Sequence, residues 1–489
     1  MKRFWLVLLS LGLVMAFSVS AFAVDVKVSG EYYAAGLYLN KTDLQSGEIR
    51  GSGDGARVVD YDSPSTAFFY QRLRVGTDFI VTPCLKLVTR FDAMERIWGG
   101  ARSNTWAVNQ DGYLSESAGT QAENENIAFD IVYIDYASPI GTFKVGYMPD
   151  YTFGTVFGDN GSALYDGQIW YSYTTGPFTI MAGYAKITDN SFSAVSTNSM
   201  SNPYLSNYLS QKTDRDKDSY RLGGVYNFKT SQAVGETGIL FVFDRDATNR
   251  GRGADGMFDS SYRTNIYELD PYVKAKIGPV ALQAELMYYF GDAAKYEGYV
   301  TDASNVSISA LSVFVDATAN FGMFNVGGTF AYLSGDDPGT HDKVEGGINT
   351  GGYDWNPCLI MFNTETLGYW VGPIMGKSQS QVDGLMSNAW FFQGKAGVKP
   401  TPQWDVMLSL SYAMVDKKPV DPHHSDRTFP NGTYGTEVDL TGTYKITNNL
   451  SYMLGGGYLF TGDYFKGDDR HSNEVNNDFM LINKLTLSF

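Results

Sequence analysis

The stretch FFYQRLRVGTDFIVTPCLKLVTRFDAMERIW, Phe68–Trp98, decides how the rest of the chain is read. Taken two residues at a time, Phe69, Leu73, Val75, Phe79 and Val81 share one parity, interrupted by Gln71 and Thr77. Tyr70, Arg72, Arg74, Gly76 and Asp78 share the other. Beyond Thr82-Pro83-Cys84 the alternation resumes, with Leu85, Leu87, Phe91 and Ala93 on one face and Lys86, Arg90, Asp92 and Arg96 on the other. Successive side chains of a strand point to opposite faces, so this is a hairpin of two long strands. A greasy face backed by a charged one suits a soluble sheet over a core. It suits equally a barrel in a bilayer, with lipid outside and charge lining the lumen.

The connections between strands separate these two cases. From Val26–Tyr38 to Phe479–Phe489 the dyad pattern recurs in about eighteen segments, joined alternately by short turns and long polar gaps. Ser138–Gly141, Thr174–Pro177, Gly278–Pro279 and Thr447–Asn449 are among the turns. Residues 40–64, 99–125, 150–161, 188–217 and 334–386 are among the gaps, the last being the longest. Segregation of loop length to one side is the rule of bacterial outer-membrane barrels. The expected fold is all-β: a transmembrane antiparallel up-and-down β-barrel with short periplasmic turns, long extracellular loops and both termini on the short-turn side. Phe69, Phe79, Phe143, Trp404, Tyr412, Tyr444, Tyr452 and Phe460 fall near strand ends on the outward parity, where interfacial aromatic girdles belong.

The N-terminus agrees with that compartment. Lys2 and Arg3 precede an apolar run to Val19, and Ala21-Phe22-Ala23 is a small-x-small cleavage site, so residues 1–23 read as a Sec-type signal peptide and 24–489 as the barrel. With strand one starting at Val26 no N-terminal plug is expected, and none of the later segments is apolar for the ~20 residues a helical span needs. A formal net charge of -16 argues against nucleic acid as a partner. Cys84 and Cys358 are expected at opposite membrane faces and unpaired.

Signals for chemistry are sparse. His341, His423, His424 and His471 all fall in long gaps, with no serine strand beside them for a hydrolytic triad, so no enzyme activity is expected. His423-His424 diverge on an extended chain, and Asp336-Asp337 and Asp468-Asp469 lack the spacing of a Ca²⁺ loop. No metal site and no cofactor are expected.

Parity sorts the lumen instead. Arg72, Arg74, Lys86, Arg90 and Arg96 form a basic ladder containing Asp78 and Asp92, and Lys144, Arg221 and Lys395 are also inward. Glu268, Asp270, Glu285, Asp316, Asp405, Glu437 and Asp439 are inward acids, mostly from the second half. Such walls either steer charged solutes or pair with each other to hold the barrel's shape. The gap 334–386 is unusually apolar, with Trp355, Tyr369 and Trp370 as candidates for a constriction. It folds into or over the mouth, or packs on neighbouring loops as a lid.

The Tyr70-Gln71-Arg72-Leu73-Arg74 run and its basic ladder, the strand number and the terminal Phe489 resemble the alginate-export-type outer-membrane family. That resemblance implies an eighteen-stranded barrel with an electropositive pore for an anionic polysaccharide, lined by Arg72, Arg74, Arg90 and Arg96. The second-half acids depart from it. The expectation is therefore a porin-like channel in a Gram-negative outer membrane, for passive diffusion of small hydrophilic, including anionic, solutes. An alginate-export-like conduit and a non-conducting surface scaffold or adhesin are the alternatives. Expected partners are outer-membrane lipid and lipopolysaccharide, the barrel assembly machinery through Phe489, and small solutes or anionic sugars.

Overall fold

Alternation of the kind seen in the opening hairpin runs through the structure, a computed structural model. It describes residues 24–46, 48–50, 57–59, 63–99, 127–190, 214–250, 262–297, 304–348, 354–372, 374, 384–421, 424–429, 431–467 and 474–489. Eighteen long strands follow in chain order: β1 (Asp25–Leu39), β2 (Thr66–Thr82), β3 (Leu85–Ile97), β4 (Ile127–Ser138), β5 (Gly141–Thr152), β6 (Asp159–Thr175), β7 (Phe178–Thr188), β8 (Lys217–Lys229), β9 (Ala233–Asp246), β10 (Tyr262–Ile277), β11 (Val280–Tyr296), β12 (Val306–Phe321), β13 (Phe324–Leu333), β14 (Ala389–Val398), β15 (Trp404–Val415), β16 (Thr433–Lys445), β17 (Leu450–Thr461) and β18 (Asp478–Ser488). Each pairs antiparallel with the next, and β1 pairs with both β2 and β18, so the sheet closes on itself. A two-residue strand, Lys343–Val344, adds a parallel rung to β12. Closure gives backbone polar groups ladder partners, which is what lets a sheet cross hydrocarbon.

The outward face is apolar. Leu222 (63% exposed) and Leu454 (58%) project from mid-strand, and Ile180 (57%) from near the short-turn end, with no protein to cover them, as a lipid-facing surface requires. Rings gather at its margins. Tyr184, Tyr220, Phe243, Tyr267 and Phe290 are direct cross-strand partners on β7 to β11, and their centroids stand 5.0–6.1 Å apart. This in-register ladder fixes strand alignment as well as depth, because a one-residue slip would turn every ring inward. Trp404–Tyr444 (4.8 Å) and Phe143–Tyr171 (5.0 Å) do the same at the short-turn end.

Strand boundaries depart from the dyad reading where strands outrun the bilayer. β6 begins at Asp159, ahead of the Ile169 at which alternation becomes visible, because DNGSALYDGQ carries no apolar alternation to mark it as strand. The gap expected over 150–161 shrinks to 153–158, since Tyr151 pairs with Asn160. Both cysteines are free: Cys84 is exposed in the β2–β3 turn. Cys358 is not at the outer face as expected; it is buried in the lumen on an inward-folded segment. Residues 1–23, His423, His471, Asp468 and Asp469 lie outside the described residues.

Thiol labelling checks this placement. A maleimide should modify Cys84 in the folded, detergent-solubilised protein and Cys358 only after denaturation. Equal rates at the two sites in the native state would contradict the buried position of Cys358.

Candidate functional site in the barrel lumen

Among the described residues, two inward-folded segments organise the lumen, each gripped by a carboxylate on the barrel wall. The first is Phe153–Gly158, between β5 and β6. Glu285 on β11 accepts the backbone N–H groups of Thr155 (3.0 Å), Val156 (2.8 Å), Phe157 (3.0 Å) and Gly158 (2.7 Å), and the Thr155 hydroxyl as well. Such charge-assisted bonds are worth roughly 1.5–3 kcal/mol each. The approach needs glycine: a Cβ on Gly154 (φ +84°) would collide with Glu285 Oε1, and one on Gly158 would lie 2.6 Å from Asp270 Oδ2.

The second segment lies within the long β13–β14 connection. Glu437 on β16 accepts the N–H groups of Ile360 and Met361, both at 2.7 Å, and Gln393 on β14 donates to the Pro357 carbonyl at 2.7 Å. Asn363 caps a short π-helical turn, Thr364–Gly368, by accepting the Thr366 N–H at 2.9 Å. The two segments meet where Phe157 and Phe314 pack edge-on against Trp355, at 5.7 and 5.4 Å. Around them the extracellular half of the barrel carries a packed apolar cluster, including Ile360, Met361, Phe362, Phe391 and Tyr434.

From Glu437 the segment runs round to β2, where Trp370 packs on Tyr70 at 4.6 Å. Tyr369 and Trp370 there face Arg72, Arg74, Glu95 and Tyr165 across a cavity of about 420 Å³. Burial pushes the Tyr369 phenol pKa up, keeping the hydroxyl protonated. A second cavity of similar size, lined by Lys144, Trp170, Arg221, Glu236, Tyr272 and Lys274, lies beneath Phe153 and Gly154.

The ladder is paired throughout. Arg74 makes a fork with Asp92 (2.7 Å for both bonds), Arg90 binds Asp130 (2.8 Å) and the Tyr165 hydroxyl, and Lys86 binds Asp78 (2.9 Å). Arg72 is held more loosely, 3.7 Å from Glu95 and over the Tyr33 ring at 5.2 Å. Arg96 is a correction. The β2–β3 register slips at Met94 (φ 53°), so Gln71 pairs with Arg96 while Leu73 pairs with Ala93. The bulge turns Glu95 inward to Arg72 and gives Arg96 the outward face of Gln71 and Trp98. Parity beyond a bulge cannot be counted by twos.

Other inward residues pair locally. Lys144 lies over the Tyr133 ring at 5.9 Å. The Arg221 guanidinium is fully buried on Asp150 and hydrogen-bonds Gln168 at 3.2 Å. Lys395 pairs with Asp316, and Asp405 with Lys399 (2.7 Å) at the short-turn rim. Glu268, Asp270, Glu285, Glu437 and Asp439 are all buried, so these five do not form an open acidic wall across from the ladder. Trp355 is a packing residue between the segments, whereas Tyr369 and Trp370 line the cavity. Asp336 and Asp337 serve loop structure, accepting the Glu345 N–H (2.8 Å) and pairing with Lys417 (3.1 Å).

Sequence reasoning missed Glu95, Asp130, Asp150 and Tyr165. It also missed the inward Phe153–Gly158 segment, whose signal was present: FGTVFG is an apolar connection with glycines at the two places where the backbone comes closest to the wall carboxylates.

The class this defines is an eighteen-stranded antiparallel membrane barrel with lumenal loops. No protein-family model matches the sequence, and none of the curated proteins does. Solved structures that align with it include the outer membrane protein OpdK from Pseudomonas aeruginosa, at 12% identity over 95% of this chain and 99% of that one, with a TM-score of 0.45. A BenF-like porin from Pseudomonas fluorescens Pf-5 aligns at 11% identity over 95% and 99%, with a TM-score of 0.46. Pseudomonas aeruginosa OccK2 (OpdF) in complex with glucuronate aligns at 12% identity over 96% and 99%, with a TM-score of 0.45. At these values the likeness carries no argument about what this chain binds.

Replacing the Glu285 carboxylate tests the first clamp. In Glu285→Gln the amide NH₂ opposes donors that now face no anion, a loss on the order of 3 kcal/mol. Hydrogen exchange at the 155–158 amides should accelerate about 100-fold. Unchanged protection would show that the segment is held by its apolar contacts alone.

Proposed function

We propose that the protein is a narrow, loop-constricted channel of the bacterial outer membrane for passive diffusion of small hydrophilic solutes, carboxylates among them. The observation that carries this is the cavity between the ladder and Tyr369-Trp370: guanidinium groups on one side, aromatic faces on the other, in a volume suited to a small molecule. Arg72 and Arg74 of this lining, and Arg90 of the same ladder, are matched by Glu95, Asp92 and Asp130, so an anion meets local donors rather than a net positive field. Arg72, whose carboxylate partner is farthest, has the most to gain from a passing carboxylate.

On the same reading residues 1–23 are a cleaved signal peptide, Phe489 is the residue read by the assembly machinery, and lipid and lipopolysaccharide surround the apolar belt. No enzyme activity is part of it. The likeness of the Phe69–Trp98 hairpin to the alginate-export-type family is not extended to a polymer conduit, because the ladder's charges are neutralised by neighbours and a packed cluster stands beside them. That same cluster favours one second reading, a barrel that does not conduct and acts at the surface as a scaffold or adhesin.

Planar-bilayer recording distinguishes the two. Discrete current steps are expected from the intact chain, with larger steps from a Tyr369→Ala, Trp370→Ala variant. Absence of current from both proteins at any voltage would remove the channel. Neutralising Arg72, Arg74 and Arg90 to Gln leaves Asp92, Glu95 and Asp130 uncompensated. The reversal potential under a salt gradient should then move toward cation selectivity, and an unmoved potential would exclude the ladder from the conduction path.

A further inference from the structure

Sequence reading expects no metal centre. The folded chain, however, brings one cysteine of the inward segment against two wall carboxylates some eighty residues further on. The Cys358 thiol and one carboxylate oxygen each from Glu437 and Asp439 all lie within 4.8 Å of one another. All three residues are buried: 4% exposed for Cys358, 0% for Glu437 and 4% for Asp439. We propose that these three residues bind Zn²⁺, or a divalent cation of similar borderline softness, and that the ion staples the lumenal segment to the barrel wall.

Two further observations point to an ion. Asp439 Oδ1 is buried and has no hydrogen-bond partner among the described atoms. Across from it stands Gly457 on β17, where a Cβ would lie 2.5 Å from Asp439 Oδ1, 3.0 Å from Leu359 Cβ and 3.3 Å from Glu437 Oε1, so only glycine lets both carboxylates and the inward segment come together there. No lysine, arginine or histidine among the described residues pairs with Glu437 or Asp439. Two adjacent buried carboxylates without a cation are unfavourable as anions, and a bound cation relieves that directly.

The donor set selects the metal. One thiolate with two carboxylates favours Zn²⁺ over Ca²⁺ or Mg²⁺, which take oxygen alone. Tetrahedral Zn²⁺ holds such atoms roughly 3.3–3.5 Å apart, so on binding the three donors draw together from within the present 4.8 Å. Glu437 can donate a remaining lone pair while its oxygens still accept the Ile360 and Met361 N–H groups. On binding, a metal–sulfur bond forms, the S–H bond breaks and its proton leaves to solvent. Without metal, burial and the two neighbouring acids raise the thiol pKa well above the usual range, so the cysteine stays protonated.

The test uses the full chain in detergent, stripped with a chelator and titrated with Co²⁺ alone. One equivalent should give a thiolate-to-cobalt charge-transfer band that Zn²⁺ abolishes. C358S should lose the band, C84S should keep it, and D439N should weaken binding at least tenfold while exchange protection at residues 358–362 persists through Glu437. The proposal is overturned if wild-type protein with that protection intact shows no band and takes up no equivalent of Zn²⁺. It is equally overturned if the band survives C358S. In the first case the carboxylates share protons instead. The readout is independent of conductance, so neither failure bears on the channel.

Discussion

A carboxylate facing the inside of a barrel and a loop turned into that barrel have complementary problems. The loop's N–H groups have left the ladder and need acceptors. The carboxylate has left water and needs donors. At Glu285 and Glu437 each group answers the other, through four N–H groups in one case and two in the other. Alone, either would carry a desolvation penalty of several kcal/mol. Together they allow apolar residues to follow the backbone inward. Phe157, Trp355 and Phe314 then cover one another, giving an interior cluster to a molecule whose outer face, turned to lipid, has no core to offer.

With the loops so anchored, the ladder has a different role from a free positive strip. Its arginines are bridged to acids on the adjacent strand, which cancels long-range field and holds the guanidinium planes still. Selectivity in such a place comes from shape and from donors left over after pairing, within a gap whose far side is Tyr369 and Trp370. Net charge, the quantity most visible in a sequence, is the wrong variable here.

What could be read from the chain follows the bilayer. Every second residue of a lipid-facing strand has to be apolar, so all eighteen strands and the alternating connections were visible as pattern. Beyond the bilayer that demand lapses, and the extension of β6 through Asp159–Gln168 was not visible. Parity says which face of a strand an acid is on, but its burial depends on what folds over it. The donors to Glu285 lie about 130 positions away in sequence, and no local pattern links them. The bulge at Met94 exchanged Arg96 for Glu95 in the lumen through a backbone angle, which composition and spacing do not encode.

Backbone strain adds a last constraint. Among the described residues three that are not glycine have positive φ: Met94 (53°), Phe362 (57°) and Asn388 (47°). Each such residue costs on the order of 1–2 kcal/mol and persists where its surroundings over-determine it. Met94 turns Glu95 to Arg72. Asn388 is held by both its amide nitrogen and oxygen, at 2.8 Å each, to the backbone of Lys417. Phe362 follows directly on the two N–H groups that Glu437 binds, and its ring packs edge-on to Phe391 and Tyr434. A loop resting passively in the lumen would relax out of that conformation. Its retention, locked by wall rings and a wall carboxylate together, argues that the inward position of this segment is specified by the barrel and is part of the fold.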